Sequence, residues 1–263
     1  MSSLDLSTIK KWVIPEGEVM SVTVNGVVVW KKPADTPTTQ ANHIKGTASA
    51  EFTATLGDVT LTFPAGNFDV EYTGAQLTTL ANVFLNKKTL TSITSWGIDT
   101  SAVKTYNYMF YNCTTMASVE MSSFNTAVAT GFSNMFTVCS ALTELDLSKF
   151  DTSNINDMGG MFNGCKNMTK LTLGSKWNVA KVKTINMMFN NCTSLTTING
   201  TLSNLGVSLS LSASPLNHDS AVRIINGLAT VTTAQTLTLS STTKNTLSAT
   251  EKAVLINKGW TLA

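Results

Sequence analysis

Charge is scarce in this chain: charged residues make up 13% of its 263, the formal net charge is +2, and arginine occurs once, at Arg223. A nucleic-acid groove needs a clustered basic footprint to neutralise phosphates, and no Lys-rich run supplies one, so that partner is disfavoured. Histidine is scarcer still, at His43 and His218 alone. Nucleophilic and acid–base catalysis need a base held beside its partner. His43 falls at the edge of a linker, and His218, in Asn217-His218-Asp219-Ser220, reads as a helix start rather than a triad member. No glycine-rich phosphate-cradling loop is present. Long apolar runs are missing too: the nearest, Val27 to Trp30, is far too short to cross a membrane, and Met1 to Lys10 has no apolar stretch of the kind that directs secretion. No membrane insertion is expected, and an ordinary cell-surface adhesin is disfavoured, although a trimmed sequence would read the same. With few charges and abundant Thr, Ser and Asn, the exposed surface is covered by neutral hydrogen-bonding groups, which suit contact with glycans or other proteins.

What is present is repetition. Met-Phe-x-x-Cys occurs at Met109–Cys113, Met135–Cys139, Met161–Cys165 and Met188–Cys192, with the Phe positions 26, 26 and 27 residues apart. Self-similarity at that period marks stacked supersecondary units. Met158, Met161, Phe162 and Cys165 stand at i, i+3, i+4 and i+7, the spacing of one face of a short helix, and the other repeats copy it. Leu142-x-x-Leu145-x-Leu147 comes after it, echoed by Met168/Leu171/Leu173 and Met116/Val119/Met121, and its final alternation predicts a strand. A third element comes next: Ile98-Asp99, Phe124-Asn125, Phe150-Asp151 and Trp177-Asn178. Here the apolar residue fills the core and the Asn or Asp turns the backbone through local side-chain hydrogen bonds.

The combined pattern, Met-Phe-x-x-Cys with Leu-x-x-Leu-x-Leu and Phe-Asp-Thr-Ser-Asn, resembles the BspA-like class of bacterial leucine-rich repeats, found on bacterial surface proteins and in some phage virion proteins. The resemblance covers roughly Leu80 to Gly200. It implies an α/β solenoid that binds other macromolecules, and it carries over no catalytic residues.

On either side of the repeats the chain reads differently. Residues 1–32 form a small β unit, in which Asn25-Gly26 between β-branched runs is a strong hairpin signal. Trp12 to Ile14, Val19 to Val24 and Val27 to Trp30 read as three short strands, which are marginal alone, so the unit is expected to dock on something else. Val22 to Lys31 resembles short N-terminal modules of phage tail and head appendage proteins. This likeness makes Trp12, Ile14, Val22, Val24, Val28 and Trp30 the residues expected to anchor the chain to other virion proteins; the alternative is a plain β cap on the first repeat. Residues 33–42 carry two prolines and no apolar periodicity, as a tether does. Residues 43–79 alternate as a β meander that caps the repeats. Residues 201–263 read as a C-terminal cap: a helical face at Ala221/Ile224/Ile225/Leu228, a strand at Leu237/Leu239, a capping box at Ser248–Glu251 and a last strand at Trp260/Leu262. From Asp219 onward this region resembles the ends of repeat-bearing phage tail proteins.

Four cysteines share one repeat slot. Stacked helices sit about 8–10 Å apart, beyond the reach of a disulfide, so free buried thiols are expected. A metal site is the sharper alternative, but no histidine joins the ladder. Asp146, Asp151 and Asp157 could form a carboxylate cluster of the glycoside-cleaving kind. Against this, Asp151 belongs to a ladder in which Asn replaces the acid in alternate repeats, and calcium there would meet too few acids.

The expected architecture is thus an α/β leucine-rich-repeat solenoid of about 26-residue repeats over residues 80–200, with a β cap, a C-terminal α/β cap and a small N-terminal β module. The strand side is the natural binding surface, with Glu120, Thr143, Glu144, Asp146, Lys170 and Thr172 as its contact candidates. Glu144 and Lys170 hold the same slot in adjacent repeats and could instead pair with each other. The function expected is that of a non-enzymatic phage virion appendage, made in the host cytoplasm, without catalytic residues, metal or cofactor. It would adhere to a host-surface glycan or protein and form a homo-oligomer. The alternatives are a purely structural decoration protein, or a bacterial surface adhesin whose signal has been removed.

Overall fold

In the computed structural model, the described residues are 42–263 and the backbone of two short strands before them. The chain divides into two units, Met1–Gln40 and Ala41–Ala263. In the first, β1 (Ser21–Val24) and β2 (Val27–Lys31) pair antiparallel, with Val24 opposite Val27 and Val22 opposite Trp30. This is the hairpin that Asn-Gly between β-branched runs dictates. Trp12, Ile14 and most of the linker lie outside the described residues.

The second unit begins with β3 (His43–Ala48), β4 (Phe52–Leu56), β5 (Val59–Phe63) and β6 (Gly66–Glu71). These do not form the expected meander. β4 and β5 make a hairpin of their own, while β6 returns to pair with β3, whose other edge takes β7 (Leu90–Trp96). β7 then carries the two-residue β8 (Ser118–Val119) in parallel.

Next, β9 (Glu144–Leu147), β10 (Lys170–Leu173) and β11 (Thr197–Asn199) form a parallel sheet in which Leu145, Leu171 and Ile198 are in register. These three are buried at 2%, 0% and 0% exposure, so strict alternation places the residues between them outward. The C-terminal part runs β12 (Leu209–Leu211), α1 (His218–Gly227), β13 (Gln235–Leu239), α2 (Ser241–Thr246), α3 (Ala249–Asn257) and β14 (Trp260–Leu262), with β12, β13 and β14 in a further parallel sheet. Asn217 caps α1 by accepting from the Ser220 N–H at 2.9 Å. At the other end of α1, the Lys258 ammonium donates to the carbonyls of Ile225, Asn226 and Leu228 at 3.1, 2.6 and 2.8 Å. The capping box of α3, Ser248 with Glu251, is formed as the sequence predicts.

The α/β leucine-rich-repeat solenoid is not what the chain builds. Among the described residues all three helices lie between 218 and 257, none falls within 80–200, and the strands are divided among five separate sheets of two to four strands. The architecture is one of mixed small sheets with few helices.

The Met-Phe-x-x-Cys segments, read as helix faces, are rows of tight turns instead. Within a row, Met109 N–H donates to Tyr106 and Cys113 N–H to Phe110, three residues back, both at 3.1 Å. The third residue of each turn has positive φ: Tyr108 and Asn112 at 59° and 61°, then Asn134 and Val138 at 55° and 60°, and Gly160 and Gly164 at 63° and 77°. Two left-handed residues in eight cannot continue a right-handed helix. Alternate N–H groups leave the row altogether: Phe110 donates to Met135 at 2.9 Å and Phe136 to Met161 at 2.9 Å, each in the next repeat.

The core results from this in-register arrangement. Phe84, Phe110, Phe136, Phe162 and Phe189 stack ring on ring, with successive centroids 5.4, 5.4, 6.0 and 5.5 Å apart. At the start of the stack, Phe63 of β5 meets Phe84 edge-on at 5.7 Å. Burying rings of this size removes a large apolar area from water at each repeat.

Candidate binding surface

The strand alternation of β9 and β10 sets the geometry of the candidate surface. Glu144 and Asp146 of β9 face outward beside Lys170 and Thr172 of β10, paired Glu144 to Lys170 and Asp146 to Thr172. The Lys170 ammonium lies 3.1 Å from the Glu144 carboxylate, with the two side chains 43% and 60% exposed. They therefore pair across neighbouring strands, an exposed ion pair worth little to stability. Asp146 is committed to its own turn, accepting from the Ser148 N–H at 2.8 Å. Glu120 does the same for Ser122 at 2.6 Å, and it comes after β8, in a different sheet. Thr143 precedes β9, and its carbonyl accepts from the Thr169 N–H and hydroxyl at 2.8 and 3.1 Å. Of the six candidates, Glu144, Asp146, Lys170 and Thr172 are paired across adjacent strands, whereas Glu120 and Thr143 fall just outside the strands. Among the anchoring candidates, the backbones of Val22, Val24, Val28 and Trp30 lie in the β1–β2 hairpin.

The thiols are turned inward. The four thiols are free and buried, as the slot spacing predicts. Each donates to the carbonyl of a Phe one repeat earlier: Cys113 to Phe84 at 3.0 Å, then Cys139 to Phe110, Cys165 to Phe136 and Cys192 to Phe162, all at 3.1 Å. Burial pushes Cys113 and Cys192 up to about 12 and the inner two well above the usual thiol range, so none is a thiolate at neutral pH.

The aspartates serve turns. Asp99, Asp151 and Asp157 each accept from the backbone N–H two residues on, at 2.8, 3.0 and 2.8 Å. The Ser153 hydroxyl and N–H hold Asp151 below the ordinary carboxylate range. His43 lies 2.6 Å from Asp69, and His218 lies 3.0 Å from Glu251. Among the described residues no group of three or more His, Cys, Asp or Glu could hold a metal ion, and no helix is long and apolar enough to cross a membrane.

One structural ladder is carried by a residue that the apolar spacing does not single out. The Thr after each Asp or Asn of the third element is buried at Thr100, Thr126 and Thr152 and bonds twice to the next repeat. The Thr126 hydroxyl donates to the Asp151 carbonyl at 2.9 Å and accepts from the Asp151 N–H at 2.8 Å. Thr152 does the same to Asn178 at 2.9 and 2.7 Å. The signal in the sequence is a Thr fixed in place one residue after the Asp or Asn at each of these three positions.

These features define a protein of in-register repeats whose thiols are internal and whose exposed strand face is polar. Residues 76–204, just under half of the chain, are similar to the family described as Mycoplasma protein of unknown function, DUF285. No curated protein and no solved structure matches the chain.

Proposed function

We propose that this chain is a non-enzymatic attachment protein, a phage virion appendage held to other virion proteins through residues 1–32 and presenting its repeats to a glycan or protein of the host surface. The observation that carries the reading is the division of labour among its side chains. Thiols and buried threonines hold repeat to repeat and the aspartates hold local turns, while the β9–β11 face offers Glu144, Lys170 and Thr172 among neutral hydroxyl and amide groups. Such a surface suits recognition of polar partners better than chemistry upon them. The resemblance of both chain ends to phage tail and appendage proteins supports the virion. A second reading, a bacterial surface adhesin, is favoured by the likeness of residues 76–204 to a family named for Mycoplasma.

The test is binding of the fluorescently labelled full chain to intact bacterial cells, compared with Glu144→Lys and with the swapped pair Glu144→Lys, Lys170→Glu. Saturable binding that weakens in both variants supports attachment through this face. Absence of binding by the folded chain to any cell type sinks it in favour of a decoration protein.

A further inference from the structure

The turn rows end on an unused set of donors. In each of the four rows that begin at Leu80, Tyr106, Phe132 and Met158, four alternate backbone N–H groups donate to carbonyls of the following repeat at 2.7–3.1 Å. The Met158 row, for instance, uses the carbonyls of Thr184, Asn186, Met188 and Asn190. In the last row the equivalent donors are Ile185, Met187, Phe189 and Asn191, and among the described residues none has an acceptor. These four face the direction in which another repeat would lie. Against the first three of them, Ile185, Met187 and Phe189, lies a groove in two lobes of ≈ 170 and ≈ 190 Å³ that share Met187 and Ser210, walled by Ser208, Ser212, Thr236 and Thr238. Met187 stands in this groove 66% exposed, at a φ of 61°. A methionine in the left-handed region with its apolar side chain in water is disfavoured twice over, and such positions gather at recognition sites.

We propose that this groove binds an extended peptide segment of a partner protein, which supplies alternate carbonyls to the N–H groups of Ile185, Met187, Phe189 and Asn191 and rests an apolar side chain on Met187. The chemistry selects this class. Donors on every second residue match the carbonyl repeat of an extended chain, as in strand addition to a sheet edge. An anion would need the donors to converge and would be helped by a cation, and no Lys or Arg lines either lobe. Nor does an exposed aromatic ring, on which a sugar would stack. Each lobe is smaller than a pocket for a drug-sized ligand, so the segment carries small side chains apart from the one on Met187, a residue whose flexible thioether adapts to varied apolar partners. This site is separate from the β9–β10 face and stands or falls independently of it.

The test is selection of a random nine-residue peptide display library on the full chain, counter-selected on Ser210→Trp, which fills the groove from an exposed position of β12. Selected peptides are expected to bind the wild type at least ~tenfold more tightly than Ser210→Trp and to shift the amide NMR signals of Met187, Phe189 and Asn191. Met187→Gly, which relieves the backbone and removes the apolar contact, is expected to melt no lower than wild type yet to bind the same peptides more weakly. The proposal is overturned if no peptide distinguishes the two chains, or if bound peptides leave those amides unmoved. It is equally overturned if phosphate or an oligosaccharide alone shifts them, or if they shift with protein concentration in the absence of peptide, which would make a second copy the occupant.

Discussion

At the scale of single residues, the repeats are held by groups that have no freedom to change. Thr126 is 2% exposed and serves both the N–H and the carbonyl of Asp151. Valine has the same shape and neither hydrogen bond. Thr126→Val is therefore expected to lower the unfolding free energy by ~2–4 kcal/mol, because it strands two polar backbone groups, as urea titration would measure. The left-handed slots argue the opposite way at Val138. A β-branched residue at a φ of 60° is strained, whereas Asn occupies the equivalent slot at Asn112 with a φ of 61°. Val138→Asn is expected to stabilise the chain by about 1 kcal/mol. Gly160→Val should do the reverse: its φ is 63°, and a Cβ there would strike the Asn134 side chain. A shift of the urea midpoint in the wrong direction for either variant would refute the turn-row geometry.

At the scale of elements, the C-terminal helices are tied by a charge contact that depends on pH. His218, next to the cap of α1, reaches Glu251 in the first turn of α3 at 3.0 Å. Its pKa is raised, chiefly by the Glu251 carboxylate and next by Asp219. A histidine raised on folding contributes stability that is fully present below its unfolded value near 6.5 and fades as pH climbs through the folded value. Glu251 is lowered, first by the Ser248 N–H and hydroxyl and then by His218, so its own contribution fades as pH falls through the acid range. Stability measured by urea titration is expected to decline from pH 6 towards pH 8 in the wild type. His218→Gln should remove that decline while leaving the acid limb, since the capping box remains. His218 is exposed and Glu251 partly so, and salt should therefore reduce the difference.

At the scale of the whole repeat region, a stack of five phenylalanine rings runs from repeat to repeat, with Phe136 at its centre and 0% exposed. Phe136→Ala is expected to cost ~3–5 kcal/mol, because rings on both sides lose a partner and the row backbones, bonded to their neighbours, cannot close the gap. Denaturant unfolding would show it. A loss below about 1 kcal/mol would mean that the repeats relax independently and that the stack does not unite them.

The sequence by itself determined the repeat period, the identity of the core, the free buried thiols, the β1–β2 hairpin, the Asx turns, α1 and the capping box of α3. All of these arise from local chemistry or from apolar spacing, both of which are written in one dimension. Glu144 and Lys170 sharing a slot was legible in the same way. The tertiary structure alone decided how Met-Phe-x-x-Cys is folded. Its i, i+3, i+4, i+7 spacing suits a helix and a row of four-residue turns equally, because both bring those positions to one side. Asn and Gly recurring four residues apart hinted at turns, but Tyr108, Val138 and Met187 in the same slots hid the hint. Only the neighbouring repeat, by offering carbonyls at 2.7–3.1 Å to alternate N–H groups, makes the turn row satisfy its backbone better than a helix would. The same long-range pairing explains why the last row is left with donors unmet. No pattern within residues 185–191 marks them as an edge, since an edge is defined by the neighbour a row has in space and not by its own residues.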